Sequence, residues 1–202
     1  MRAFIAIDLP ESVRRALGQI QAELQKSLAR SNIAMRNRES DIRWSRPEGI
    51  HLTLKFLGEM SEAQAKKVAD DLASMETFKS IPIEVKGFGF FPGPARPRVF
   101  WVGVEALPGL AQLAGQIEDR MEKLGFPRES RNFNPHLTLA RFKDPRPHPS
   151  LRALVEERGN PSFGLFEASE FFLFESKLSP HGAQYRKVAC FPDRAKEAEK
   201  KI

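Results

Sequence analysis

The tetrapeptide His51-Leu52-Thr53-Leu54 recurs letter for letter as His136-Leu137-Thr138-Leu139. With four His and three Thr in 202 residues, random order would give only about 0.06 His-x-Thr triplets. The repetition therefore constrains the fold: the chain must present the same short segment twice. In an extended strand, successive side chains alternate between faces. Each copy then sets an imidazole and a hydroxyl side by side on one face and anchors two leucines in a core behind them.

The segments around the two copies follow one order. Ala3 to Ile7 reads as a buried strand. Asp8 as N-cap, Glu11 three residues later and Pro10 in the first turn signal a helix. Val13, Leu17, Ile20, Leu24 and Leu28 supply its apolar stripe. Residues 30–43 lose this period, carry Arg30, Arg36, Arg38 and Arg43, and read as a basic loop that could form a lip over phosphate. Trp44 enters the first motif strand, Ile50 to Phe56, on which Lys55 shares the parity of His51 and Thr53. Ser61 with Gln64 forms a capping box for a second helix, and Ile81, Ile83 and Val85 alternate as a strand.

A Pro- and Gly-rich stretch, 92–98, then marks a seam. Beyond it come a strand over 99–104, a helix lined by Leu110, Leu113, Ile117, Met121 and Leu124, and a loop with Arg128 and Arg131. The second motif strand, Pro135 to Phe142, follows, then a short helix capped by Ser150 and two closing strands near 171–174 and 185–191. We expect an α/β (α+β) fold: a duplicated unit whose two antiparallel-type sheets face a central cleft. It occupies 1–192 as one bilobal domain, followed by a charged tail, 193–202.

The single cysteine, Cys190, excludes an intramolecular disulfide framework and reads as a structural thiol. No apolar run approaches the length that spans a bilayer, and 3–7 is too short for a signal peptide, so a cytoplasmic protein without membrane partner is expected. A net charge of +6 and pI near 9.6 favour a polyanionic ligand. No obligate protein partner is implied, and a monomer is the default.

Displacement at a phosphodiester needs a base on the attacking oxygen and an acid on the leaving oxygen, on opposite sides of phosphorus. Two imidazoles on facing strands meet that requirement, and imidazole titrates near neutral pH. Thr53 and Thr138 would donate hydroxyl hydrogens to the non-bridging oxygens. Arg141 has the wrong strand parity to join them unless it acts from the strand end or after a bulge. Neither motif carries the clustered ligands of a metal site, and no nucleotide-binding glycine loop is present, so neither metal nor cofactor is expected. His148 and His181 read as loop residues, with His181 or Tyr185 near the cleft mouth.

The paired HLTL tetrapeptides, with RAFIAIDLP at the start, PRVFWVGV in the middle and the run NPHLTLARF, make the chain similar to the 2H phosphoesterase superfamily. Within it, the chain resembles the RNA 2′,3′-cyclic phosphodiesterases, historically called 2′-5′ RNA ligases, over about residues 2–191. That resemblance implies opening of an RNA terminal 2′,3′-cyclic phosphate to a 2′-phosphomonoester without a metal. It implies His51 as proton donor, His136 as proton acceptor, and Thr53, Thr138 and Arg141 as phosphate ligands. Weak reverse 2′-5′ ligation is also expected. Phe4 and Phe56 are candidates to stack a nucleobase. Two alternatives stay open: a non-catalytic module that holds a nucleotide or RNA end, and an enzyme acting on 2′-5′ oligonucleotides or a small cyclic phosphate.

Overall fold

Strand β1, Arg2–Ile7, is buried at every position but its first, as a strand must be when both faces are covered. In the computed structural model, which describes residues 1–31, 41–76, 78–106, 108–179 and 182–192, β1 lies inside a four-stranded antiparallel sheet. Helix α1, Glu11–Ser31, follows, and all five of its predicted core positions are buried. It starts later than an Asp8 cap would place it. Asp8 instead accepts from the Leu9 amide and pairs with Arg14 and Lys187, so its carboxylate is engaged by cations.

The order continues with β2 (Ile42–Trp44), a 3₁₀ turn (Pro47–Gly49), β3 (Leu52–Glu59), α2 (Glu62–Ala73), β4 (Ile81–Phe91), β5 (Val99–Ala106), α3 (Gly109–Lys123), β6 (His136–Phe142), α4 (Pro149–Arg158), β7 (Ser162–Ala168), β8 (Phe171–Ser179) and β9 (Gly182–Phe191). The Ser61–Gln64 capping box forms at α2. Just past α3, Gly125 takes a φ of 90°, the left-handed conformation in which a helix commonly stops. Strand β7 has no counterpart in the sequence reading. It is an edge strand whose residues alternate poorly between buried and exposed. None of the described helices is long and apolar enough to cross a membrane.

The fold is α+β with two antiparallel sheets, ordered β3-β1-β8-β9 and β2-β6-β5-β4-β7. The seam expected at 92–98 is a different feature. Those residues close the β4–β5 hairpin, with Phe91 paired to Val99 inside the five-stranded sheet. The chain changes sheets elsewhere: β4 joins the sheet of β5, while β8 returns to pair with β1 and β9 pairs with β8 at the edge. Each sheet thus takes strands from both ends of the chain. The tail, 193–202, lies outside the described residues.

One continuous core joins the helices to both sheets and holds Leu52, Leu54, Leu137 and Leu139. The leucines of both tetrapeptides are therefore anchored as the alternation requires. A second cluster, Phe4, Ala6, Phe172 and Phe174, lies on the opposite face of the four-stranded sheet. His51 packs against that face, stacked on Phe4.

Candidate active site

His51 stands between the 3₁₀ turn and β3, and its Nδ1 lies 2.8 Å from the Gly49 carbonyl oxygen. His136 opens β6, and its Nδ1 lies 2.8 Å from the Asn134 carbonyl oxygen. Both rings thus bond the carbonyl two residues earlier. A carbonyl oxygen only accepts, so Nδ1 carries the hydrogen in each ring, and the neutral imidazole offers its Nε2 lone pair. Two rings of one tautomer present the nitrogen that can exchange a proton.

Their surroundings differ. His51 is stacked on Phe4 at 4.4 Å between centroids, meets the edge of Tyr185 at 4.9 Å, and has Phe174 at 6.0 Å. Burial among these rings pushes its pKa down to about 4, against weaker upward pulls from the Gly49 carbonyl and the Asp8 carboxylate. His136 meets Phe91 edge-on at 4.9 Å and Trp101 at 6.4 Å. Its pKa is also lowered, chiefly by burial. The charge of Arg141 depresses both imidazoles, so one guanidinium lies within electrostatic reach of both. The strands that carry them, β3 and β6, contact each other where the two sheets meet.

Both tetrapeptides end in a bulge. Against β1, Thr53 pairs with Ala6 and Lys55 with Ile5, which leaves Leu54 over. Against β5, Thr138 pairs with Trp101 and Ala140 with Phe100, which leaves Leu139 over. An extra residue reverses the parity beyond it. Arg141 is thereby returned to the face of Thr138 and His136, opposite Val99, as the sequence required for it to act there. The same shift takes Lys55 the other way. It leaves the histidine face, is 2% exposed, and reaches Glu118 of α3 at 2.7 Å and the Pro127 carbonyl oxygen at 2.6 Å. Phe56 takes the place on the first strand that Arg141 has on the second, and it is 55% exposed. Phe4 cannot stack a base: it is 3% exposed, with His51 and Phe174 both stacked against it.

The lead-in to each histidine is tied down by a cation from elsewhere. Arg14 of α1 donates to the carbonyls of Pro47, Glu48 and Ile50, which bracket Gly49. Lys55, through Glu118 and Pro127, ties the loop before His136, and Glu118 also accepts from the Glu129 amide. Arg128 of the same loop is held by Asp119 and Glu122. Residues 32–40 of the basic loop, and His181, lie outside the described residues. Cys190 is half-buried, with Sγ 3.6 Å from a Glu170 oxygen. Among the described residues no three His, Cys, Asp or Glu cluster as a metal site would need.

Sequence reasoning missed Arg14, Phe91 and Trp101. Trp101 could have been found by asking what lies across β5 from Thr138. Its indole lies flat on Gly89, where a Cβ would come within 2.0 Å of the ring. Glycine there makes room for the wall beside His136.

A model of the LigT-like phosphoesterases matches residues 7–101 and then 102–185. The chain belongs to the LigT-like phosphoesterase family. That the same family model fits twice agrees with a duplicated unit, and the division falls within β5. Among curated members, an RNA 2′,3′-cyclic phosphodiesterase of Archaeoglobus fulgidus is 35% identical over 191 residues, 95% of this chain and 99% of the relative. One from Aeropyrum pernix is 38% identical over 166 residues, 82% and 90% of the two chains. A crystal structure from Thermus thermophilus superposes with a TM-score of 0.70 at 30% identity, covering 95% and 97%. Escherichia coli LigT with 3′-AMP shares the LigT-like fold at a TM-score of 0.72, with 23% identity and coverage of 94% and 96%.

Proposed function

We propose that this LigT-like phosphoesterase hydrolyses the 2′,3′-cyclic phosphate at an RNA end to a 2′-phosphomonoester, with two histidines and no metal. The observation that supports it best is the pair of Nδ1–carbonyl bonds, which turns two chemically equivalent rings toward proton exchange within reach of one arginine. The curated relatives carry that activity in their names. Water attacks phosphorus in line with the 3′ oxygen. His136 takes its proton, the P–O3′ bond breaks, and His51 gives the departing oxygen a proton. Thr53, Thr138 and Arg141 hold the negative non-bridging oxygens.

The donor role has a cost. Burial holds His51 near 4, so the anionic phosphate must supply the field that protonates it. With a 5′-hydroxyl in place of water, the same displacement breaks P–O3′ and forms a 2′-5′ phosphodiester, so the site also joins a cyclic end weakly to a 5′-hydroxyl.

His51→Ala and His136→Ala should each slow turnover of a 2′,3′-cyclic substrate by about 10² or more, each without loss of fold. Activity of the parent should survive EDTA. A substrate with sulfur in place of O3′, whose leaving thiolate needs no proton, should rescue His51→Ala and leave His136→Ala inactive. The reverse pattern exchanges the two roles, and near-normal activity in either alanine variant ends the two-histidine reading.

A further inference from the structure

Strand β2 is three residues long, yet its register is fixed: Ile42 is buried opposite Phe142, and Trp44 sets its ring edge-on to Phe100 at 6.1 Å. Arg43 between them must then project to the other face, where it lies directly across from Arg141. That face carries His136 and Thr138 as well. Both arginines are exposed, and no carboxylate pairs with either among the described residues. Like charges directly opposite in a sheet are destabilising. Arg14, Arg120, Arg128, Arg152 and Arg186, by contrast, each hold a carboxylate. Two adjacent guanidinium groups without counter-charge, beside a phosphate site, form a place for more than one phosphate.

Resting on the reading above that Arg141 holds the terminal cyclic phosphate, we propose that Arg43 binds the next phosphate, on the 5′ side of the terminal nucleotide. The substrate class is then an RNA chain of two or more nucleotides, and a cyclic mononucleotide uses only part of the site. A guanidinium suits this contact because it meets phosphate oxygens with paired donors. β2 is an edge strand of its sheet, with no further strand among the described residues beyond it.

The test compares Arg43→Ala and Arg43→Lys with the parent on two substrates, a 2′,3′-cyclic mononucleotide and a five-nucleotide RNA ending in 2′,3′-cyclic phosphate. Arg43→Ala should raise KM for the RNA about tenfold more than for the mononucleotide, with kcat on RNA nearly constant. Arg43→Lys should recover only part of that loss, since the charge remains but the paired donors do not. The dependence of log KM on log salt should flatten by about 0.7 for the RNA, the share of one single-strand phosphate. Equal effects on both substrates, or none on either, would overturn the proposal. If the parent hydrolyses neither substrate, the cyclic phosphodiesterase reading fails separately. Arg43 is then judged by fluorescence anisotropy with a 2′-phosphorylated pentamer: tenfold weaker binding by Arg43→Ala supports the subsite, and unchanged binding removes it.

Discussion

Strands β3 and β6 share the letters Leu-Thr-Leu, share a bulge at the last of them, and follow a histidine or start with one whose Nδ1 bonds the carbonyl two residues back. Everything that differs between them lies just outside the tetrapeptide. Five residues after the histidine, the first strand has Phe56 and the second has Arg141. Around the ring, the first has three aromatic neighbours and the second two. Identical local sequence therefore builds two equivalently oriented imidazoles, and divergent flanks give each ring its own electrostatics. The lesson is that a duplicated motif supplies equivalent geometry, while acid and base have to be separated by what packs against it.

The largest effect should come from exchanging the flanks. Arg141→Ala removes the charge proposed to hold the phosphate, and should lower kcat/KM by about 10² to 10³ on any cyclic substrate. Phe56→Ala should cost far less, about fivefold, and mostly in KM. Because Arg141 depresses both imidazoles, its loss should also raise the pH at which each titrates, observable in the ring proton resonances. If only one ring moves, the two histidines do not share this arginine.

Next in size is the crossed pair of ties. Lys55 belongs to the first motif strand yet holds the loop before His136, whereas Arg14 holds the turn before His51. Lys55→Met strands Glu118 without its cation and should destabilise the fold by about 3 kcal/mol, measured by urea unfolding. It should disturb the titration of His136 and leave that of His51 nearly in place. Arg14→Met should do the converse. Equal disturbance of both rings by either variant would show that the halves are not separately positioned.

The contrast in burial sets a pH dependence. His51 titrates at about 4 when folded and near 6.5 when unfolded. The unfolded chain thus binds the proton more readily, and stability is fully present above about 6.5. It falls as pH drops from there toward 4, by about 3 kcal/mol from this ring. His51→Gln should be less stable at pH 7 but flatter between pH 7 and 4. An unchanged slope would mean that another group carries the acid sensitivity.

These unequal flanks also explain what could be read from letters alone. The helices were legible because α1 and α3 keep an apolar period, and the motif strands because His, Thr and Leu alternate. The histidines and threonines were legible for the same reason. The fate of Lys55 was not, since a strict period of two puts it beside His51 and only the bulge at Leu54 turns it into the core. Arg141 carried the opposite clue: its wrong parity called for a bulge, and the bulge is there. Phe4 was misjudged because the strand pattern reveals which face a ring takes but not what already covers it. The interleaving of the sheets was hidden for a related reason: strand order depends on pairings that lie far apart in the chain.

The smallest effect concerns how the second bulge is held. Leu139, the extra residue, turns its carbonyl oxygen to the Ser45 amide at 2.8 Å and to the Gln21 side-chain amide at 2.9 Å. Gln21 is 3% exposed and also donates to the Ser45 carbonyl. A buried polar group on α1 thereby fixes the kink that turns Arg141 to the site. Gln21→Leu keeps the volume and removes both donations, leaving the Ser45 carbonyl short of a partner, a loss of about 1 to 2 kcal/mol in stability. If the kink relaxes, Arg141 drifts from the phosphate and kcat/KM should fall about fivefold, the equivalent of 1 kcal/mol. The double variant with Arg141→Ala separates the two effects: the stability loss should persist, while no further activity should be lost, because the kink then has no arginine to aim. Additive losses in activity would mean that Gln21 supports the site by some other route.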